Sequence, residues 1–348
     1  MKLIDGHVYP ARHKYPDNPA PSNMDEINRI LKEPRRSLSP SQFSNKEFRE
    51  FQQANADVHN ENDVTHAEIP IIQGNIKDGK CFGRGVSFGN LDSLIEGAAP
   101  GNPDLFYGAR PDDLDLRIRN KLGRFIMPST QKEIPLAPNF FLAAKGPDGS
   151  AAVANRQACY HGALGARGMQ KLQSYGQSAP VYDQNAYTIT STYHYGTLNM
   201  YTTHIAPPAG SGPPEYYMTQ CDGFSLTGNL ETCRQGFTAF RNAREWSKKK
   251  RDQFISDANE RVRSMGAESL TLESSDGPGP SKDELAISPS HSVATLSSHH
   301  CSKLPDIPEE VETSADDLAL PSTKRRKISE ETASKAPCRS ARIPRQKR

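Results

Sequence analysis

The chain has 348 residues, 35% of them hydrophobic and 7% aromatic, with a mean hydropathy of −0.71. That is too little apolar material for a chain folded from end to end, because a segment poor in apolar surface cannot offset the entropy of ordering itself. A folded middle between disordered ends is expected. The formal charge of +2 is unevenly spread. From Pro321 to Arg348 ten Lys or Arg face two acids, a local +8, which leaves −6 for everything before and excludes a strongly basic folded part.

The six cysteines (Cys81, Cys159, Cys221, Cys233, Cys301, Cys338) form no CxxC pair and no cluster with zinc spacing, as isolated thiols of a reducing interior would. The start, MKLIDGHVYPARHKYPDNPAP, lacks the apolar core of a secretory signal, and no run reaches the length of a membrane span. A soluble intracellular protein with no membrane partner is the expectation.

Residues 1–43 are rich in Pro, Asn and Arg and are expected to be disordered, apart from a short helix at MDEINRILKE with Ile27, Ile30 and Leu31 on one face. Order is expected from SNKEFREFQQANADV, where Ser44 and Glu47 form a capping box and Phe48, Phe51 and Val58 face a core. AEIPIIQGNI reads as an extended segment ending in a Gly-Asn turn. PDDLDLRIRNKLGRFI reads as a helix with Pro111 at its start and Leu114, Ile118 and Leu122 at i, i+4, i+8.

PLAPNFFLAAK is a short apolar run between Pro and Gly, the pattern of a strand buried on both faces. SAAVANRQACYHGALGARGMQKLQSYG predicts a long helix closing near Gly176, with small residues that permit close packing. NAYTITSTYHYGTLNMYTTHI predicts a hairpin about a Tyr-Gly turn, and PEYYMTQCDGFSLTG a further strand. NLETCRQGFTAFRNAREWSKKKRDQFISDANERV predicts a closing helix with Phe237, Phe240 and Trp246 inward. From residue 267 onward the composition turns to Ser, Pro, Asp, Glu and His, a disordered tail. These elements describe one α/β domain over residues 44–266, a central mixed sheet flanked by helices.

The most informative residue is Lys145, which ends the buried strand. A lysine there keeps its stem in the core and its ammonium near solvent, suited to a phosphate or an attacking water; the plainer reading is a lysine snorkelling at a sheet edge. Other constellations carry less. GRGVSFGN has spaced glycines but no GK[ST] and no following amphipathic helix, so it is a turn and not a phosphate loop. Ser87, His161 and Asp183 make a chance triad without a nucleophile elbow. His194 and His204 lie ten apart in the hairpin, as solvated strand histidines facing one side, and Tyr193, Tyr195 and Tyr201 read as cross-strand packing.

The run APNFFLAAKGPDGSAAVANRQACYHGALGARGMQ, with NPDLFYGARP before it and FRQGFTAFRNAREW after it in the order of the chain, resembles an uncharacterised fungal domain family over about residues 45–262. That family's block reads FFLEAKGPDGS where this chain reads FFLAAKGPDGS. The block is similar in turn to the third strand of the PD-(D/E)XK nucleases. The resemblance implies a restriction-endonuclease-like fold, with Asp104 as first metal ligand, Lys145 as the lysine that positions or activates water, and Gln157, with Asn155, Arg156 and Tyr160, on the polar face of the following helix. It implies Mg as cofactor for any retained activity, held by hard oxygen ligands. Ala143 stands where the motif has its glutamate, and a methyl binds no cation. Asp148, in the turn, is the substitute within reach. The expectation is a fold kept with phosphodiester cleavage impaired or lost.

Lys324, Arg325, Arg326 and Lys327 form a compact basic run, and RSARIPRQKR a second. Such runs read as nuclear import signals bound by an import receptor, as nucleic-acid contacts, or as a solvated terminus. Ser288 and Ser329 are candidate phosphorylation sites. The combined expectation is a nuclear protein binding DNA or RNA; the alternative is a protein-interaction module without a nucleic-acid role, and the third an active nuclease using Asp148.

Overall fold

A computed structural model describes residues 2–13, 20–76 and 78–273, with side chains described to residue 265. Seven strands form one mixed sheet in the order β1-β7-β6-β5-β4-β3-β2. An interior strand, β4 (Leu136–Lys145), is buried at all ten positions as its unbroken apolar run requires. It pairs antiparallel with β3 (Leu105–Ala109) and parallel with β5 (Ala186–His194). The parallel step needs a crossover, supplied by α7 (Ala151–Gln173), which lies over β4, β5 and β6. A Cβ on Gly162 of that helix would come within 2.4 Å of Thr203 Oγ1, so the small residue sets how closely α7 approaches the sheet.

β5 turns into β6 (Thr197–Ala206) through Tyr195 and Gly196, with φ of 46° and 73°, a two-residue hairpin in the left-handed region. β6 pairs antiparallel with β7 (Glu215–Ser225). The edges are short: β1 (Val8–Tyr9) runs parallel to β7, and β2 (Phe82–Gly83) antiparallel to β3. Two-residue edges offer little template for pairing with another chain.

Against the other face lies α8 (Leu230–Glu273), whose Phe237, Phe240 and Trp246 are buried as expected; Phe240 meets Phe140 edge-on at 5.0 Å. With it packs α3 (Asn45–Ala56), opened by the Ser44–Glu47 capping box and burying Phe48 and Phe51. The far half of α8, with Phe254, Ile255, Ala258 and Val262, joins α6 (Leu116–Ile126) and the end of α7 in a second core.

Several expectations are corrected. The segment 1–43 is not disordered where it is described. It supplies β1 and α2 (Met24–Leu31), and α2 buries Ile27 and Leu31 against α8. Trp246 Nε1 donates to Glu26 at 3.1 Å, and Asn242 Nδ2 donates to the Ile30 and Glu33 carbonyls at 2.9 and 2.7 Å, closing the end of α2. A partner for this amphipathic segment exists within the chain, which composition does not reveal.

AEIPIIQGNI is not extended. It holds α5 (Ile69–Gln73), entered through a π-turn at Val64–Glu68, with Ile69 and Ile72 buried and its last carbonyls bonded by Arg241 and Arg244. The extended segment lies instead at Leu105–Ala109. Pro111 begins a 3₁₀ turn, and α6 starts at Leu116 behind the N-cap Asp115. α8 continues to Glu273, past residue 266. The rest of the tail, with Lys324, Arg325, Arg326, Lys327, Ser288, Ser329, Cys301 and Cys338, lies outside the described residues. Among the described residues the cysteines are free, and no helix is long and apolar enough to cross a membrane.

Candidate functional site

The antiparallel register Leu105↔Leu142 brings Asp104, just before β3, opposite Ala143. There Asp104 Oδ2 accepts the Ala144 N–H at 2.8 Å. Lys145 follows two residues after Ala143, on the same face of β4. It is 7% exposed, and its Nζ donates to both oxygens of Glu61, at 2.9 and 2.8 Å. The Glu61 carboxylate lies close enough to raise the Asp104 carboxyl. Two acids and an ammonium thus meet at the end of β4.

Glu61 arrives from far upstream in sequence. It opens the short helix α4 (Glu61–Asp63), whose N-cap Asn60 exchanges hydrogen bonds with Asp63. Its backbone lies on Gly146: a Cβ there would come within 2.8 Å of Asn60 C and Glu61 N. The glycine after Lys145 therefore admits the chain that carries the lysine's partner.

Burial is the largest influence on Asp104 and pushes its carboxyl up to about 6; the Lys145 ammonium and the Ala144 N–H pull it down, and Glu61 adds to the rise. His161, on the α7 face above the sheet, is 3% exposed, and burial foremost, with the Lys145 charge second, lowers it to about 3. It is a neutral imidazole whose Nδ1 has no hydrogen-bond partner. His194 is the register partner of Lys145 on β5.

Of the residues singled out by sequence, Asp104 and Lys145 come together. Gln157 stands half-buried on α7, its Oε1 buried without a partner, and no hydrogen bond joins it to the trio. Asp148 is exposed in its turn. His204 is 1% exposed and stacks on Tyr217, far from the solvated strand histidine expected, while Tyr195 is 67% exposed at the hairpin tip and is not cross-strand packing. No hydrogen bond joins Ser87, His161 and Asp183; the Asp183 carboxylate accepts from Gln173, Tyr187 and Asn185. Glu61 escaped the sequence reading. The Asn60–Asp63 capping pattern marks a helix start, but nothing local points to a lysine beyond the next eighty residues.

The residues present do not fit a divalent cation. Both Glu61 oxygens are engaged by Lys145, Asp104 Oδ2 is engaged by the Ala144 N–H, and the third position is the Ala143 methyl. Among the described residues no group of three His, Cys, Asp or Glu is arranged to hold a metal. Two cavities lie away from this strand end. One of about 10 Å³, the room for a single water, is lined by His204, Thr203 and Gln170, and an open one of about 240 Å³ by Ser87, Asn90 and Thr130. No protein-family model, no curated protein and no solved structure matches this chain.

Proposed function

We propose that this is a nuclear protein whose domain is a degenerate PD-(D/E)XK-like nuclease, binding DNA or RNA with metal-dependent cleavage lost. One observation carries the reading: an acid and a lysine share one strand end, with a methyl directly opposite the acid where the nuclease motif has its second carboxylate. A buried ammonium beside a hydrogen-bonded acid is the remnant that the loss of one first-shell carboxylate would leave. The basic run Lys324–Lys327 supplies the import signal and a phosphate-binding strand of charge.

The test uses the full chain with labelled DNA and RNA across a salt series, in the presence of Mg²⁺ or Mn²⁺. The expected result is binding whose logarithmic affinity falls linearly with log salt, without cut product. Cleavage at the rate of an Ala143→Glu variant, or no binding even at low salt, overturns the proposal.

A second reading, a protein-interaction module, draws on charge. The acidic excess before Pro321 belongs to residues 274–320, with nine acids against two bases; residues 1–273 hold 31 Lys or Arg against 30 acids. The folded part is thus near neutral and not acidic, and offers no net attraction for a polyanion. Replacing every Lys and Arg from Lys324 to Arg348 by Ala in the full chain separates the two: residual salt-dependent binding assigns phosphate contacts before the tail, and complete loss favours the interaction module.

A further inference from the structure

We propose that the Lys145 ammonium is the resident cation of this site, standing where a divalent metal would stand, and that a metal site lies one substitution away. Glu61 gives both of its oxygens to Nζ, at 2.9 and 2.8 Å. Asp104 Oδ2 accepts the Ala144 N–H at 2.8 Å. A divalent ion entering here would have to displace a lysine that is 7% exposed and ion-paired with Glu61 at 2.8 Å. It would gain two protein carboxylates in exchange, and Mg²⁺ or Mn²⁺ prefers hard oxygens in greater number.

Position 143 decides the balance. Its side chain points to the same face as Lys145 and lies across the ladder from Asp104. A carboxylate there would make three acids to one ammonium in a buried setting, an arrangement that a lysine cannot neutralise and a divalent ion can. Removing the ammonium tips the site the same way from the other side, because two carboxylates are left without a cation. Lys145 is therefore the residue that keeps the site metal-free, held in place by Glu61 through the chain path that Gly146 admits.

The experiment is Mn²⁺ binding by titration calorimetry, with thermal unfolding in parallel, on the full chain, Ala143→Glu and Lys145→Met. The wild type is expected to give no binding heat and an unmoved Tm. Each variant is expected to bind Mn²⁺ at least about tenfold tighter than the wild type, with a Tm that rises as the metal is added. Ala143→Glu introduces bulk into a packed strand; if it does not fold, Lys145→Met alone decides. Wild-type Mn²⁺ binding as tight as the variants', or no gain in any variant that folds, overturns the proposal. Metal binding is read without nucleic acid, so failure of the proposed function leaves this result standing, and the reverse.

Discussion

The two ends of β4 each carry a buried cation, and they hold it by different means. At the end of the strand, Lys145 is met by a full carboxylate that is itself 40% exposed, with a second acid alongside. Near its start, Asn139 meets Arg251, which is 1% exposed and bonded to neutral groups: Asn139 Oδ1 at 2.8 Å and the Tyr107 carbonyl at 3.4 Å, with Asp252 at 3.7 Å. Asn139 donates in turn to the carbonyls of Tyr187 and Ser247, at 2.9 and 2.8 Å, so one amide ties β4 to β5 and α8. Burial pulls the Arg251 guanidinium below its usual range, and the Asp252 charge opposes that pull. Dipoles hold a charge in place; carboxylates give it chemistry. The Asn139 end is scaffold and the Lys145 end is a site.

The largest effect expected is at the scaffold end. Arg251→Ala removes a side chain that fills core volume and leaves Asn139 Oδ1 without its donor. The expected loss is about 3 kcal/mol from cavity and unsatisfied acceptor together, or roughly 10 °C in Tm for a domain of this size. Urea unfolding of the full chain measures it. A loss near zero would mean that the guanidinium contributes no more than a surface charge, and the contrast between the two ends would fail.

Gly146→Ala is the next. The added methyl would press on Asn60 and Glu61 backbone atoms at 2.8 Å, which cannot rotate aside as a side-chain end would. A destabilisation of about 2 kcal/mol is expected. A second effect distinguishes it from simple overpacking: with Glu61 lifted away, Lys145 gains access to solvent. Its amine should then react faster with an acylating reagent, read by peptide mass mapping. Unchanged Lys145 reactivity in a destabilised variant would show that Glu61 does not depend on Gly146.

The same contrast explains what the sequence discloses. The α/β class, β4, α7, the hairpin and the capping box at Ser44 follow from local apolar period, turn chemistry and hydrogen-bonding side chains, and the structure has them. α2 was legible as an amphipathic helix but not as core, because its counterpart, Trp246 and Asn242 on α8, lies more than two hundred residues on. α5 misled because Ile-Pro-Ile-Ile reads as a strand, while its helical state depends on Arg241 and Arg244 bonding its last carbonyls. In the site, Lys145 is visible as a charge ending an apolar run. Glu61 is not visible, since its role is fixed by a backbone crossing at Gly146 and no local pattern encodes that.

The smallest and most diagnostic prediction concerns Asp104. Its native carboxyl is raised from the usual 3.8 to about 6, burial being the main cause. An acid raised on folding binds more protons in the folded state than in the unfolded one between those values. Its contribution to stability is fully present below about pH 4 and is lost as pH rises through about 6, by up to about 3 kcal/mol for a shift of that size. In Asp104→Asn the amide oxygen can still accept the Ala144 N–H and the amide can donate to Glu61, while the ionisation is gone. The difference in unfolding free energy between variant and wild type should therefore grow with pH, reaching about 1 kcal/mol in the variant's favour at pH 7.5 after some loss of fit. At pH 4.5 the wild type should be equal or better. Taking the difference cancels the other carboxylates, whose titration both proteins share. Parallel profiles from pH 4.5 to 7.5 would show that Asp104 ionises as an ordinary acid, and that the strand end holds its charges no differently from the protein surface.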